Sequence, residues 1–440
     1  MAEGRRSGRP AQERRRSAGR GRAGARAKRW SRTERERRRG RAFTPEEKKL
    51  ADQMMATLER VWPGFRKWLV LNLTILTLAV LTLCGGARSG NGWLTLSALA
   101  RAMPLTIAEK MREKRLWRLL RNKSLDAGVM TPLLIRLVLG ERPPAWIPIV
   151  VDQTTIRGVQ TIVAGIRLAG RTLPVAFTCF QYDEIRKSQN VIESALLKLV
   201  VASLPPGCKP LFLMDRGYAR VDLLRELRLL DIPYLIRGRK QTMIRVAGER
   251  LSLGRLRYRA RRPKRYVHVL YHGTKREPVD VVVYHDPSFQ EPWFLLVPPE
   301  SEKLLPTTEV VQLYRERMWV ELTFRDWKTH LGVRGLQLES DPARRLERVL
   351  LALTVAYILL VHLGASPAGR RVRQDCEVLR RVPRHGTRRR LGALTIGILL
   401  LSLARFTELA RHELLALLRD LRRGAGCAAT AASRQDRGEP

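Results

Sequence analysis

Paired cysteines are missing from this sequence. Its five cysteines (Cys84, Cys179, Cys208, Cys376 and Cys427) are scattered without a CxxC pair, which excludes a disulfide framework and a zinc finger and suits a reducing cytosol. The seven histidines do not cluster at ligand spacing either. Any bound metal is therefore left to carboxylates, and so to a hard cation such as magnesium or manganese. Acid is also scarce: 41 Asp and Glu face 83 Lys and Arg, a formal net charge of +42. Self-repulsion on that scale calls for a polyanionic partner. Nucleic acid, whose neutralised phosphates release counterions, comes ahead of an anionic membrane surface. No apolar stretch directly follows the basic opening, so no secretory signal is expected. The apolar run at residues 68–84 is about 17 long, at the short edge of a bilayer span, and the run at 349–363 is shorter; both read as buried helices. What is plentiful is core material, with 45% hydrophobic residues in 440, enough for two or three domains.

Along the chain, residues 1–42 are a low-complexity tract of Arg, Gly, Ala and Ser. They read equally as a disordered tail gripping DNA phosphates or as sequence upstream of a true start near Met54. Order begins with Thr44 as N-cap, Pro45 at the first helical position and acids in the first turn. Residues 43–140 read as a helical, DNA-binding region. Within it a helix at 94–103 leads through Pro104 to a second helix carrying Lys110, Arg112, Lys114, Arg115 and Arg118, a pairing that a DNA-binding head uses and that a solvated basic face also produces. Residues 141–236 alternate strand, hairpin, helix, strand, helix and strand, with Ala169-Gly170 as the hairpin turn. This is an α/β order in which helices cover a mixed sheet. Residues 237–304 form a basic, β-rich insertion. Helices return at 305–364, and 365–440 form a helical C-terminal region.

Three segments carry chemistry. In residues 147–155 an apolar strand ends at Asp152; in 210–218 a second apolar strand ends at Asp215, followed by Arg216, Gly217 and Tyr218. Neighbouring strands would bring the two carboxylates close enough to demand a cation, although strand-end hydrogen bonding explains either one alone. The third segment is a helix over 314–328. At about 100° per residue from Tyr314, Arg317 falls near 300°, Glu321 near 340° and Lys328 near 320°, while Glu316 and Asp326 point elsewhere. A carboxylate flanked by two cations and a phenol can hold a metal while its neighbours grip phosphates. An i, i+4 salt bridge between Arg317 and Glu321 on a solvated face is the plainer alternative.

The spacing Tyr314-x-x-Arg317-x-x-x-Glu321-x-x-x-x-x-x-Lys328 resembles the signature of insertion-sequence DDE transposases of the YREK type. Asp215-Arg216-Gly217-Tyr218 is similar to that family's second motif and Val151-Asp152-Gln153-Thr154 to its first. One departure is Gln153, where many members carry an acid or a glycine. The likeness spans roughly residues 60–410. It implies an RNase H-like core in which Asp152, Asp215 and Glu321 hold two Mg²⁺ or Mn²⁺ ions for DNA cleavage and strand transfer. It further implies that Tyr314, Arg317, Lys328 and Arg216 contact DNA phosphates. Some relatives stack an aromatic residue on a flipped base; Trp293 is the candidate here, with a core role as the alternative. The implied partners are double-stranded DNA, as terminal inverted repeats and target, and a second copy of the chain, in the bacterial cytoplasm and without a membrane. A different RNase H-like nuclease, a DNA-binding descendant without catalysis and a basic peripheral membrane protein are the competing readings.

Overall fold

A computed structural model describes residues 44–86, 92–185, 188–382, 387–424 and 426. The Arg-rich tract at 1–42 and the polar tail from 427 lie outside the described residues.

Thr44 opens helix α1 (Pro45–Val61) with a reciprocal cap. Its hydroxyl accepts from the Glu47 N–H at 3.2 Å, and the Glu47 carboxylate accepts from the Thr44 N–H at 2.9 Å. Helices α2 (Lys67–Gly85), α3 (Leu96–Ala102), α4 (Glu109–Leu120) and α5 (Ala127–Leu139) follow. The basic helix α4 does not spend all its charge on solvent. Arg112 is buried and donates to the carbonyls of Arg101 and Met103 at the end of α3, and Arg115 donates to Asn72 on α2. Lys110, Lys114 and Arg118, spaced four apart on one helix face, stay exposed.

The chain then enters a single ten-stranded sheet. Strands β1 (Trp146–Ile156), β4 (Lys209–Met214) and β5 (Tyr234–Arg237) run parallel, with β2 (Val159–Leu168) and β3 (Arg171–Phe180) antiparallel beside β1. That mixed 3-2-1-4-5 arrangement, with helices α6 (Gln189–Ser203) and α7 (Val221–Leu229) as crossovers, is an RNase H-like core. Strand β1 runs on past the apolar run at 147–151 because Asp152 through Ile156 pair with β2. The β2–β3 turn places Ala169 and Gly170 at φ 48° and 73°, the left-handed pair a two-residue hairpin requires. The β-rich insertion does not stand apart from this sheet. Its last strand, β10 (Trp293–Val297), pairs antiparallel with β5, and β9 (Glu277–Tyr284), β8 (Lys264–Tyr271), β6 (Met243–Val246) and β7 (Glu249–Ser252) extend the sheet outward.

Beyond the sheet, a broken helical segment comprises α8 (Thr307–Arg317), α9 (Trp319–Arg325) and a π-turn at Asp326–His330. Helices α10 (Pro342–Ala365), α11 (Pro367–Cys376), α12 (Ala393–Ser402) and α13 (Thr407–Arg422) complete the chain. By length and composition α2 and α10 are apolar enough to cross a membrane, yet α10 is buried along nearly its whole length inside the protein. Its contact with α12 is backbone on backbone. A methyl group added at Gly364 would meet the Ala393 carbonyl at 1.8 Å, and one at Gly397 the Leu360 carbonyl at 2.1 Å.

Candidate functional site

Strand register brings the first two candidate carboxylates together. The last rung of the parallel β1–β4 ladder is Val151 opposite Met214, so Asp152 and Asp215 occupy the next position on strands spaced about 4.8 Å apart. Beyond that rung the two chains diverge: β1 continues along β2, while β4 turns into the 3₁₀ turn Arg216–Tyr218. Half-buried Asp215 caps that turn, accepting from the Gly217 N–H at 2.7 Å. The Gln153 side chain, next along β1, lies in a separate amide network, donating to Gln160 and accepting from Gln189 at 2.6 Å.

The helical segment supplies the rest. Arg317 ends α8 buried, with Nη2 2.7 Å from Asp152 Oδ2 and Nη1 4.0 Å from Glu321 Oε1. The Arg317–Glu321 pair is therefore not a plain surface salt bridge, since the arginine is 4% exposed and its nearer acid is Asp152. Burial pushes the Asp152 carboxyl up to about 6; Arg317 and the Gln153 N–H oppose this, while Asp215 and Glu321 add repulsion. Burial by itself would lower the Arg317 pKa, but Asp152, Tyr314, Asp215 and Glu321 outweigh it and raise it. Arg317 Nε is buried and has no partner among the described residues.

The helix is not continuous. Met318, at ψ −13°, separates α8 from α9, and the π-turn begins five residues after Glu321. That turn seats buried Asp326 against Arg171 Nε at 2.5 Å and the Tyr357 hydroxyl at 3.2 Å, and packs Trp327 edge-on to Phe177. Tertiary contacts have thus overridden the ideal helix used to place the polar stripe. The four residues of the stripe still meet electrostatically: Tyr314 with Arg317 and Asp215, Arg317 with Glu321, and Glu321 with Lys328. Half-buried Lys328 has its pKa lowered by burial and by Arg334.

Trp293 lies in β10, 6% exposed, with Phe289 stacked on it at 4.9 Å and Tyr314 edge-on at 5.0 Å. Phe289 already covers that ring. Arg216 is exposed and 3.7 Å from Glu291. Two groups near the carboxylates escaped the sequence reading. Arg237, at the end of β5, is near enough to Tyr314 to lower its phenol pKa, although burial raises it overall. Buried Glu193 on α6 pairs with Arg220 and accepts from Gln189, close enough to Asp152 and Asp215 that all three raise the pKa of the buried Tyr218 phenol after burial itself. Nothing in the local pattern around 193 distinguishes it from a surface helix acid.

Three mutually repelling carboxylates that offer only oxygen are donor chemistry for a hard divalent cation. In this structure a guanidinium answers Asp152. Among the described residues no three His, Cys, Asp or Glu side chains converge closely enough to hold a metal ion.

Residues 169–359 match the family model described as a transposase DDE domain, a span that contains Asp215 and Glu321 and begins after Asp152. Among solved structures, the piggyBac transposase synaptic complex with hairpin DNA, determined by cryo-EM, is similar with a TM-score of 0.39 and 10% identity, over 85% of this chain and 78% of that one. No curated protein matches.

Proposed function

We propose that this chain is a DDE-type DNA transposase of the YREK type that cleaves the ends of an insertion sequence and transfers them to target DNA. The observation that carries the reading is the strand register that sets Asp152 beside Asp215, with Arg317 of the broken helical segment between Asp152 and Glu321. The matched transposase domain supports it. Asp152, Asp215 and Glu321 are the residues that would hold two Mg²⁺ or Mn²⁺ ions. Ions held there would supply activation of a water or 3′-hydroxyl and stabilisation of the departing oxygen.

The chain's own groups then position the strand. Glu321, with a 56% exposed side chain, has room to turn toward the aspartates. Arg317 pairs with Asp152, and its planar fork suits two oxygens of one phosphate. Lys328 and Arg216 add point and fork charge on either side, and Tyr314 lies near Arg237 at the floor. The exposed face of Lys110, Lys114 and Arg118 is suited to duplex phosphates further along. Two DNA ends call for two copies of the chain, and the C-terminal helices are the proposed contact. The setting is the bacterial cytoplasm, where a reduced cysteine set fits.

One observation favours a second reading, a DNA-binding descendant without catalysis: Asp152 is answered by Arg317 and the acids are not gathered. A labelled duplex bearing the element's ends separates the two. With Mg²⁺ or Mn²⁺ the wild type should nick at the ends and Glu321→Gln should bind without nicking. Equal nicking by both would remove Glu321 from the metal site. End binding with no nicking by either would establish the non-catalytic descendant.

A further inference from the structure

Beside Asp215, a recess of about 460 Å³ opens between the 3₁₀ turn at Arg216, the end of β5 and the start of β10. Four cations line it: Arg216, Arg237, Arg239 and Lys240. The group that faces them is Glu291, whose carboxylate lies 2.8 Å from Lys240, 3.5 Å from Arg237 and 3.7 Å from Arg216. Arg237 and Lys240 come from the end of β5 and the segment just after it, which the β5–β10 pairing sets near Glu291, while Arg216 reaches the same carboxylate from the separate 3₁₀ turn. A single carboxylate held by three convergent cations occupies the position of an anion with several oxygens. The recess also borders the candidate site, because Asp215 is part of its lining. Its place outside the carboxyl ends of parallel β4 and β5 is where α/β sheets bind ligands.

We propose that this recess is a subsite for a phosphodiester of a nucleic-acid strand, and that Glu291 is its built-in occupant, displaced by the incoming phosphate. The inference rests on the nucleic-acid reading above but not on catalysis. Lys240 and Arg237 lower the Glu291 pKa, first by the Lys240 hydrogen bond, so the carboxylate stays charged and competes at neutral pH. The competition is winnable. Glu291 is 38% exposed, and ion pairs near solvent are weak because water screens them and side-chain entropy opposes them. A phosphodiester that also reaches Arg239 gains a contact that Glu291 does not make.

The test is equilibrium binding of a fluorescent single-stranded oligonucleotide by the full chain, in chelator so that cleavage plays no part. Glu291→Gln keeps the shape and removes the competing charge. It should tighten binding by about threefold to tenfold. It should also steepen the salt dependence by about 0.7 for each counterion newly released. In an Arg237→Ala/Lys240→Ala background the same change should gain less than about twofold, since the two nearer of the three cations Glu291 neutralises are gone. A strand with uncharged methylphosphonate links should show no gain, and Glu249→Gln, an exposed acid on β7, should change little. Unchanged or weaker binding by Glu291→Gln would overturn the proposal. So would a gain matched by Glu249→Gln or retained on the uncharged strand. A wild type that bound no strand at all would remove the function reading too, whereas intact binding indifferent to Glu291 would remove the subsite alone.

Discussion

Glu347 offers a way to read a buried charge through stability. It lies on α10, largely buried, and its Oε1 accepts the Cys179 N–H at 3.2 Å. Burial pushes the carboxyl up from 4.5 to about 7; the Cys179 hydrogen bond opposes this, Asp126 adds repulsion, and Arg348 and Arg344 oppose. Between those two values the folded protein keeps a proton that the unfolded chain has released, so stability must fall as pH rises through that window. The full separation corresponds to about 3 kcal/mol, reduced by whatever water reaches the group. Glu347→Gln carries no charge and keeps an oxygen for the Cys179 N–H. It should match the wild type near the acid end of the window and exceed it in stability by up to about 3 kcal/mol at about pH 8. Urea unfolding of both proteins across that range, followed by tryptophan fluorescence, gives the difference directly. A gap that does not change with pH would show that Glu347 is well solvated or compensated. A glutamine variant less stable at about pH 8 would show that the charge is favourable where it lies.

Other expectations follow from packing and charge. Arg171→Ala leaves buried Asp326 with only the Tyr357 hydroxyl and, at 3.9 Å, His330 nearby, and should cost about 3–5 kcal/mol in urea unfolding; a loss under about 1 kcal/mol would mean the pair is dispensable. Gly364→Ala drives a methyl group into the Ala393 carbonyl, and should lower the thermal midpoint and cost at least about 1–3 kcal/mol; an unchanged midpoint would mean that α10 and α12 separate easily. Burial pushes the Cys84 thiol up to about 12, so native protein should resist thiol labelling at Cys84 until denaturant is added. Rapid native labelling would show that α2 opens readily.

Where local chemistry decides, the sequence was informative. The Thr44 cap, the hairpin turn at Ala169-Gly170 and the strands leading into Asp152 and Asp215 all follow from residue types and short spacings. The broken helix was not legible. An apolar period over 314–328 describes an ideal helix, whereas Arg171 on β3 and Tyr357 on α10 claim Asp326 and accompany the π-turn. The Arg317 contact with Asp152 was equally hidden, because the helical count set Arg317 beside Glu321 and could not see across to β1. Arg237 and Glu193 reach the site from elements whose own patterns read only as strand end and helix face.

The union of β5 with β10 has a mechanical consequence. Leu295 opposite Arg237 and Leu296 opposite Ile236 stitch the outer strands to the one carrying Asp152 and the one leading into Asp215, so one hydrogen-bonded plate runs the full width of the sheet. Hinge closure, in which one body swings over another, needs a compliant linker between them. Here a torque exerted by a long, stiff polymer at the outer strands is carried as shear along backbone hydrogen bonds, straight to the carboxylate-bearing edge. Any give must come from the segments at 238–242 and 285–292 and from side chains, which makes the plate an anvil rather than a jaw.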